Sequence, residues 1–175
     1  MQLALVADLH DNLVNFDKFL SLMTKVPCDG LLLAGDIGSP ETYALIIAQM
    51  ACPVWAVAGN LETDIGSKGY IELSQKFPQF HYSPTEPATF SIGRISIELR
   101  HHPFQALQPK GQRIPDLVIY GHTHRPDLTR SGKAWSVNPG TLSGWPNPAT
   151  YTLCRLENDR LQLSLHRLGI ETRHL

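Results

Sequence analysis

The chain has 175 residues, of which 42% are hydrophobic and 18% charged, and its formal net charge is −1. This length and composition exclude a disordered chain, and we expect one domain over residues 1–175. The near-neutral charge argues against binding to nucleic acid. Three scattered cysteines argue against a secreted disulfide scaffold.

The apolar runs are short, and Asp8 interrupts the first of them. Because a membrane span needs about 18 apolar residues, we expect neither a membrane helix nor a signal peptide. The expected location is the cytoplasm. One excess stands out, since four of the eight histidines form two close pairs, His101-His102 and His122-x-His124, and His10 stands beside Asp8.

The first sixty residues repeat a short apolar run, a polar or glycine-containing loop and a helix-like stretch. This alternation predicts an α/β fold. Strands are expected at residues 2–7, 31–34 and 54–58. The helix between the first two begins near the N-cap candidate Asn12 and has an apolar stripe of Leu13, Phe16, Leu20 and Met23.

The second predicted helix begins at Ser39-Pro40, with Leu45, Ile46 and Met50 apolar, and a weaker one covers residues 67–77. From there on, short strands are expected at residues 88–92, 95–99, 117–120, 151–156 and 161–168, the last two flanking Asn158-Asp159. A sandwich of sheets with outer helices fits this order.

Polar residues follow five of the predicted strands: Asp8 and His10, Asp36, Asn60, His101-His102, and His122 with His124. Ligands of open α/β sheets gather at the carboxyl ends of the strands, so we expect these residues to share one crevice. Residues two apart on an extended segment point to the same side, which allows each pair at i and i+2 to act together.

Imidazole, carboxylate and amide groups together suit Mn²⁺, Fe, Zn²⁺ or Ni²⁺ better than Ca²⁺ or Mg²⁺. Seven donors are too many for one tetrahedral ion. They fit two divalent ions that share a carboxylate, and manganese is our preferred metal.

Structural roles compete with this interpretation at several positions. Asp8 could begin a turn, and Asn60 could fill a left-handed position after Gly59. Asn12 is expected to cap a helix, which could also direct the helix dipole toward a phosphate. Ordinary surface roles are expected for His81, His166 and His174, and the cysteines are expected to be small buried hydrophobes.

The blocks Asp8-x-His10, Gly35-Asp36, Gly59-Asn60, His101 and Gly121-His122-x-His124 together resemble the calcineurin-like metallophosphoesterases. All five stand in the family's order, and Gly-His-Thr-His is the most specific. The short length, Asp11-Asn12 and the turn at residues 138–140 are most similar to the family's small bacterial and archaeal phosphodiesterases. The resemblance implies a four-layer αββα sandwich with metals at the sheet edges.

The resemblance also implies the division of the ligands. One metal would take Asp8, His10, Asp36 and His124, and the other Asp36, Asn60, His101 and His122. His101 is preferred to His102, because relatives with a His-His-Pro stretch align the first histidine with the ligand. Asn12, Asn60 and His122 are the residues expected to bind the substrate.

The sequence departs from the family after Asn60. Many members read Gly-Asn-His, and that histidine is held to protonate the leaving oxygen, whereas this chain has Leu61. General-acid help, typically worth 10²–10⁴-fold, must come from elsewhere or be absent. His102 is the candidate substitute, and Asn60 is the other residue expected to act in catalysis.

The expected function is hydrolysis of a phosphodiester by hydroxide that two metals activate. The alternatives are a phosphomonoesterase or pyrophosphohydrolase acting on a nucleotide or phosphoprotein, and a scaffold of the same fold without catalysis. A phosphate ester is the expected partner, and a homo-oligomer remains open. Specificity is expected from the loops at residues 65–69, 103–115 and 143–148.

Overall fold

A computed structural model describes residues 1–103, 114–157 and 160–169. The predicted turn at Asn158-Asp159, His174 and most of the loop at residues 103–115 lie outside the described residues. The elements in chain order are β1 Gln2–Val6, α1 Leu13–Met23, β2 Gly30–Leu33, α2 Pro40–Gln49, β3 Val54–Val57, α3 Asn60–Ile65, α4 Lys68–Lys76, β4 Phe80–Ser83, β5 Ala88–Ile92, β6 Ile95–Leu99, β7 Leu117–Ile119, β8 Asp127–Ser131, β9 Ala134–Asn138, β10 Thr150–Glu157 and β11 Arg160–Arg167.

The strands form two sheets, a six-stranded one of order β11-β10-β1-β2-β3-β4 and a five-stranded one of order β5-β6-β7-β9-β8. In the first sheet β1 to β4 are parallel, with Leu3 opposite Gly30 and Leu31 opposite Val54. In the second sheet β6, β7 and β9 are parallel. Each sheet therefore gathers the carboxyl ends of its parallel strands at one edge.

Alternation along the strands sends side chains into two separate cores. Ala4 and Val6 of β1 face the core that α1, α2 and α4 cover. Leu3 and Leu5 face the core between the two sheets, with Ile97 and Ile119 opposite. The predicted mixed α/β fold of two packed sheets with helices is confirmed.

The helix positions were predicted well and their buried faces less well. Asn12 caps α1 by accepting a hydrogen bond from the Asn15 backbone, and Ser39 caps α2 with Pro40 at its first position. The buried face of α1 consists of Phe16, Phe19 and Met23, whereas Leu13 is 39% exposed. The predicted stripe was therefore wrong at Leu13, which lies at the edge of the buried face, and it missed Phe19.

Four elements were not predicted: α3, β4 and the pair β8 and β9. The first two are only six and four residues long. The β8–β9 ribbon forms an edge of the second sheet, and most of its side chains are exposed or half-buried. Its hydrophobic alternation is correspondingly weak. Among the described residues, no helix is long and apolar enough to cross a membrane.

Candidate metal centre

The residues predicted to bind metal lie where strands of both sheets end. Asp8 and His10 follow β1, Asp36 follows β2, and Asn60 begins α3 directly after β3. His101 follows β6 in the second sheet, while His122 and His124 follow β7. The structure thus brings histidine and aspartate donor atoms from four strand ends, those of β1, β2, β6 and β7, into overlapping groups.

The backbone at these positions is unusual. Six described residues other than glycine have φ between 51° and 68°, namely Asp8, His10, Asp11, Asp36, His122 and His124. Five of the six are proposed ligands. Aspartate and histidine tolerate this left-handed region better than most residues, but it still costs of order 1–3 kcal/mol each. Such strain persists only where the surrounding structure fixes it, and it clusters at functional sites.

Two glycines allow the strand ends to approach each other closely. A Cβ atom on Gly59 would collide with the backbone nitrogen and Oδ1 of Asp36. One on Gly121 would lie 2.8 Å from the carbonyl oxygen of Ala34 and 2.9 Å from Oδ2 of Asp8. Any side chain at either position would push a proposed ligand aside.

Asp8, His10 and His124 form one group of donor atoms. Nε2 of His10 lies 3.2 Å from Nε2 of His124, and the latter lies 3.4 Å from Oδ1 of Asp8. Asp8 is fully buried, and its carboxylate accepts a hydrogen bond from the backbone N–H of His122. Nε2 of His10 also lies 3.9 Å from Oδ2 of Asp36, which places Asp36 beside this group.

Asp36, His101 and His122 form the adjoining group. Nε2 of the fully buried His101 lies 3.4 Å from Oδ2 of Asp36 and 3.2 Å from Nδ1 of His122. Asp8, Asp36 and His101 form a third group, in which one donor atom from each residue lies within 4.8 Å of the other two. The carboxylate of Asp36 consequently borders both groups.

Hydrogen bonds to carbonyl oxygens determine which ring nitrogen faces the centre. Nδ1 of His101 lies 3.0 Å from the Ala34 carbonyl, and Nδ1 of His124 lies 2.9 Å from the Trp145 carbonyl. Because a carbonyl only accepts, both Nδ1 atoms carry a proton, and Nε2 of each ring is directed at a carboxylate oxygen 3.4 Å away. Nε2 is therefore the atom of each ring that would bind a cation in the centre.

The pKa values of the metal-free centre are shifted in both directions. Burial opposes ionisation of His101, but its hydrogen bonds to Asp36 and the Ala34 carbonyl raise its pKa. Burial raises the pKa of Asp8 to about 7, in spite of the attraction from His101 and His124. Burial lowers the pKa of His10 and of His122, which favours the neutral imidazole that metals bind. Burial opposes ionisation of Asp36 too, but hydrogen bonds from His101 and the Leu61 backbone lower its pKa to about 2.

Glu62 holds the loop that carries Asp36. Its side chain is fully buried and accepts hydrogen bonds from the backbone nitrogens of Asp36, Ile37, Gly38 and Gly59 and from the Tyr43 hydroxyl. The sequence analysis assigned no role to this residue. Four of these five partners are 19 to 26 residues away, which no local pattern reveals, and only Gly59 is close in sequence.

Glu86 holds the adjacent residues His101 and His102 through hydrogen bonds. One of its carboxylate oxygens accepts from the backbone nitrogens of His101 and His102, and the other lies 2.5 Å from Nδ1 of His102. His102 is exposed, and a ring nitrogen of it lies within 4.8 Å of donor atoms of His101 and His122. Sequence analysis also missed Glu86.

The two asparagines differ in their freedom to bind a ligand. Asn60 is exposed and begins α3, so the alternative that it fills a left-handed position is wrong. The side chain of Asn12 accepts from the Asn15 backbone and donates to the Ser143 carbonyl. Its amide therefore holds the turn at residues 142–143 against α1, and its binding to phosphate remains a prediction.

Two of the remaining histidines pack on aromatic rings outside the centre. His81 stacks on Trp55 at a centroid distance of 5.2 Å, and His166 stacks on Tyr151 at 5.1 Å. His166 is half-buried and shares its face of β11 with Ser164, which lies 2.8 Å from its Nε2.

Comparison with known families assigns this geometry. Residues 1–160 match the model of the calcineurin-like phosphoesterase superfamily domain. The chain belongs to this superfamily. The enzyme class predicted from the sequence, a hydrolase acting on phosphoric esters, is confirmed by that membership.

Individual relatives resemble the chain over nearly its whole length. Phosphodiesterase YfcE of Escherichia coli K12 is 26% identical over 179 residues, covering 93% of this chain and 91% of the relative. The structure of an archaeal phosphodiesterase superposes with a TM-score of 0.79 at 19% identity, covering 95% of this chain and all of that one. Vps29 of Entamoeba histolytica, solved with Zn²⁺, superposes at 0.60 with 18% identity and covers 97% of this chain and all of that one.

The donor set fits a metal centre of this family. Carboxylates and imidazoles converge, burial raises the pKa of Asp8, and two rings are already oriented by carbonyls. Orientation of this kind is typical of metal-binding histidines.

Proposed function

We propose that the chain is a phosphodiesterase with two divalent ions at this centre and that manganese is its preferred metal. Asp8, His10, Asp36 and His124 would hold one ion, and Asp36, Asn60, His101 and His122 the other. The position of Asp36 between the two donor groups supports its role as the shared ligand. His101 is favoured over His102 because it is fully buried and its Nδ1 is bound to a carbonyl.

One observation carries this proposal. Two imidazole rings, each oriented by a hydrogen bond from Nδ1 to a carbonyl, direct Nε2 at carboxylate oxygens 3.4 Å away, and burial raises the pKa of Asp8 to about 7. Divalent ions bound among these atoms would take the place of protons on Nε2 and would stabilise the ionised carboxylate of Asp8. When bound, two divalent ions supply an activated water and the positive charge that holds the phosphoryl oxygens.

The side chains that surround the centre would position the ester. Asn60 and His122 are both exposed, and we expect them to bind phosphoryl oxygens of the substrate. Asn60 also borders a cleft of about 210 Å³ that Thr63, Asp64, Glu86 and His102 help to line. This cleft adjoins the metal donors and is the proposed place for the leaving group.

We propose His102 as the general acid, because Leu61 stands where many members of the family have a histidine. Its Nδ1–H is held by Glu86, which leaves Nε2 to present a proton to the leaving oxygen. The contact with Glu86 fixes the ring beside His122, whose centroid is 4.6 Å away. We also propose that the loops at residues 65–69 and 143–148 contribute to substrate specificity.

The proposed function is tested by removing metals with a chelator, restoring single metals, and assaying an aryl phosphodiester beside its monoester. We expect no hydrolysis without metal, recovery with Mn²⁺, and preference for the diester. Preference for the monoester would favour the phosphomonoesterase alternative. Absence of hydrolysis with Mn²⁺, Fe²⁺, Zn²⁺ and Ni²⁺ would favour the scaffold.

A further inference from the structure

Two of the three cysteines meet at the edge of the first sheet opposite the metal centre. Cys28 lies before β2 and Cys52 before β3, while Asp36 and Asn60 follow the other ends of these strands. The sulfur atoms of Cys28 and Cys52 are 3.6 Å apart, and both thiols are free. The sequence analysis treated these residues as unrelated small hydrophobes, and their separation of 24 residues concealed the contact.

The backbone brings the two residues to a distance that a disulfide can span. Leu31 of β2 pairs with Val54 of β3, and the Leu31 N–H donates to the Pro53 carbonyl at 3.0 Å. Continuing this register places Cys52 beside the residue that follows Cys28. A strand spacing of about 4.8 Å and an offset of one residue of about 3.3 Å give a Cα separation of roughly 6 Å, inside the roughly 4.4–6.8 Å that disulfides require.

The two thiols differ in access and in acidity. Cys28 is half-buried and Cys52 is buried, and both line a surface cleft of about 300 Å³. The hydrogen bond from the Cys52 thiol and another from the Gly30 N–H lower the pKa of Cys28, against the effect of burial. The same hydrogen bond and burial raise the pKa of Cys52. An accessible, more acidic thiol beside a second cysteine is the arrangement of oxidation-sensitive pairs.

We propose that Cys28 and Cys52 form a reversible modification site, in which a peroxide oxidises the two thiols to an intramolecular disulfide. Cys28 is the thiol that meets the oxidant, and Cys52 is the thiol that resolves the product. This site is separate from hydrolysis and does not depend on the proposed function.

The chemistry balances with one peroxide per pair. The Cys28 thiolate attacks a peroxide oxygen, the O–O bond breaks, and the products are a sulfenic acid and hydroxide, which takes up a proton as water. The sulfur of Cys52 then attacks the Cys28 sulfur, an S–S bond forms, the S–O bond breaks, and the hydroxide leaves with the Cys52 proton as a second water. The two sulfurs lose two electrons, the peroxide gains them, and an external thiol reverses the reaction.

The test treats the reduced full chain with a small excess of hydrogen peroxide and follows it by intact mass and peptide mapping after alkylation. We expect a mass decrease of about 2 Da, a peptide that joins Cys28 to Cys52, and full reversal by dithiothreitol. Cys154 is buried in β10 and remains a thiol, so the Cys154→Ser variant is the matched control and forms the same cross-link.

Single variants separate the two roles. Cys52→Ser should stop at a sulfenic acid on Cys28 that dimedone traps, whereas Cys28→Ser should give neither a cross-link nor trapping at residue 52. The proposal is overturned if peroxide leaves both thiols unchanged, joins two chains through Cys28, or carries Cys28 to the sulfinic acid without a bond to Cys52.

Discussion

The two buried aspartates of the centre have pKa values that are shifted in opposite directions. Asp8 has a pKa raised by burial to about 7, and Asp36 has one lowered to about 2 by hydrogen bonds that outweigh burial. In the unfolded chain the pKa of Asp8 is the ordinary value of 3.8. Between about pH 4 and 7 the folded metal-free chain therefore keeps the Asp8 proton, whereas the unfolded chain loses it. Stability due to Asp8 is therefore lost as the pH rises through this range, and that due to Asp36 is lost only as the pH falls from about 4 to 2.

This contrast predicts opposite effects of the same substitution. At pH 7.5 and without metal, Asp8→Asn should raise the free energy of unfolding by about 2–4 kcal/mol, because it removes an unfavourable buried charge. Asp36→Asn should lower it by about 2 kcal/mol, because it removes a favourable one. Urea unfolding in chelator measures both. A loss of stability in both variants would contradict the raised pKa of Asp8.

His102 is the residue whose catalytic role is most open to test. If it protonates the leaving oxygen, His102→Ala should reduce kcat for an alkyl phosphodiester by about 10²-fold or more, and that for an aryl diester by much less. The aryl leaving group is a weak base and needs little protonation. His81→Ala is the control, because His81 stacks on Trp55 away from the donor groups. Equal losses on both esters would exclude the acid role.

At the scale of elements, the loop after β2 depends on a buried carboxylate from α3. Replacing Glu62 by glutamine leaves one acceptor oxygen for four backbone N–H groups and turns an amide N–H toward the others. We expect a loss of about 2–4 kcal/mol in unfolding free energy and weaker metal binding. Glu72→Gln is the matched control, since Glu72 makes only an exposed contact with Lys68 on α4 and should change stability by less than about 0.5 kcal/mol.

Unfolding and calorimetric metal titration of the two variants check this prediction. If Glu62→Gln were as stable as Glu72→Gln and bound Mn²⁺ as well as the parent chain, the loop would not depend on the carboxylate.

The observed elements also show which parts of the fold and of the site could be predicted from the sequence and which could not. The β5–β6 hairpin was predicted with its observed bounds, because Ile95, Ile97 and Leu99 alternate with polar residues and a glycine turn joins the strands. The positions of Asp8 and Asp36 followed from the buried runs before them. Glu62 and Glu86 were not found, because their partners are distant in sequence, and β4 was missed because four residues give too short a pattern.

At the scale of the whole molecule, the centre joins the two sheets. Asp8, His10 and Asp36 come from the first sheet, and His101 and His122 from the second. Ions held by both groups would therefore stabilise the packing between the sheets. At a hundredfold excess over Kd, one bound ion adds about 2.7 kcal/mol, which corresponds to a Tm increase of roughly 5–10 °C for a chain of this length.

Thermal unfolding with and without Mn²⁺ measures this increase. The stabilisation should disappear in Asp36→Asn, which lacks the proposed shared carboxylate. A similar increase in that variant would place the stabilising ion elsewhere on the molecule.

Anomalous diffraction from crystals grown with Mn²⁺ tests the central claim most directly, because it locates the ions themselves. The account predicts two peaks about 3.5–4 Å apart. Asp36 should lie between them, with His10 and His124 at one peak and His101 and His122 at the other. A single peak, or peaks outside this group of residues, would contradict it.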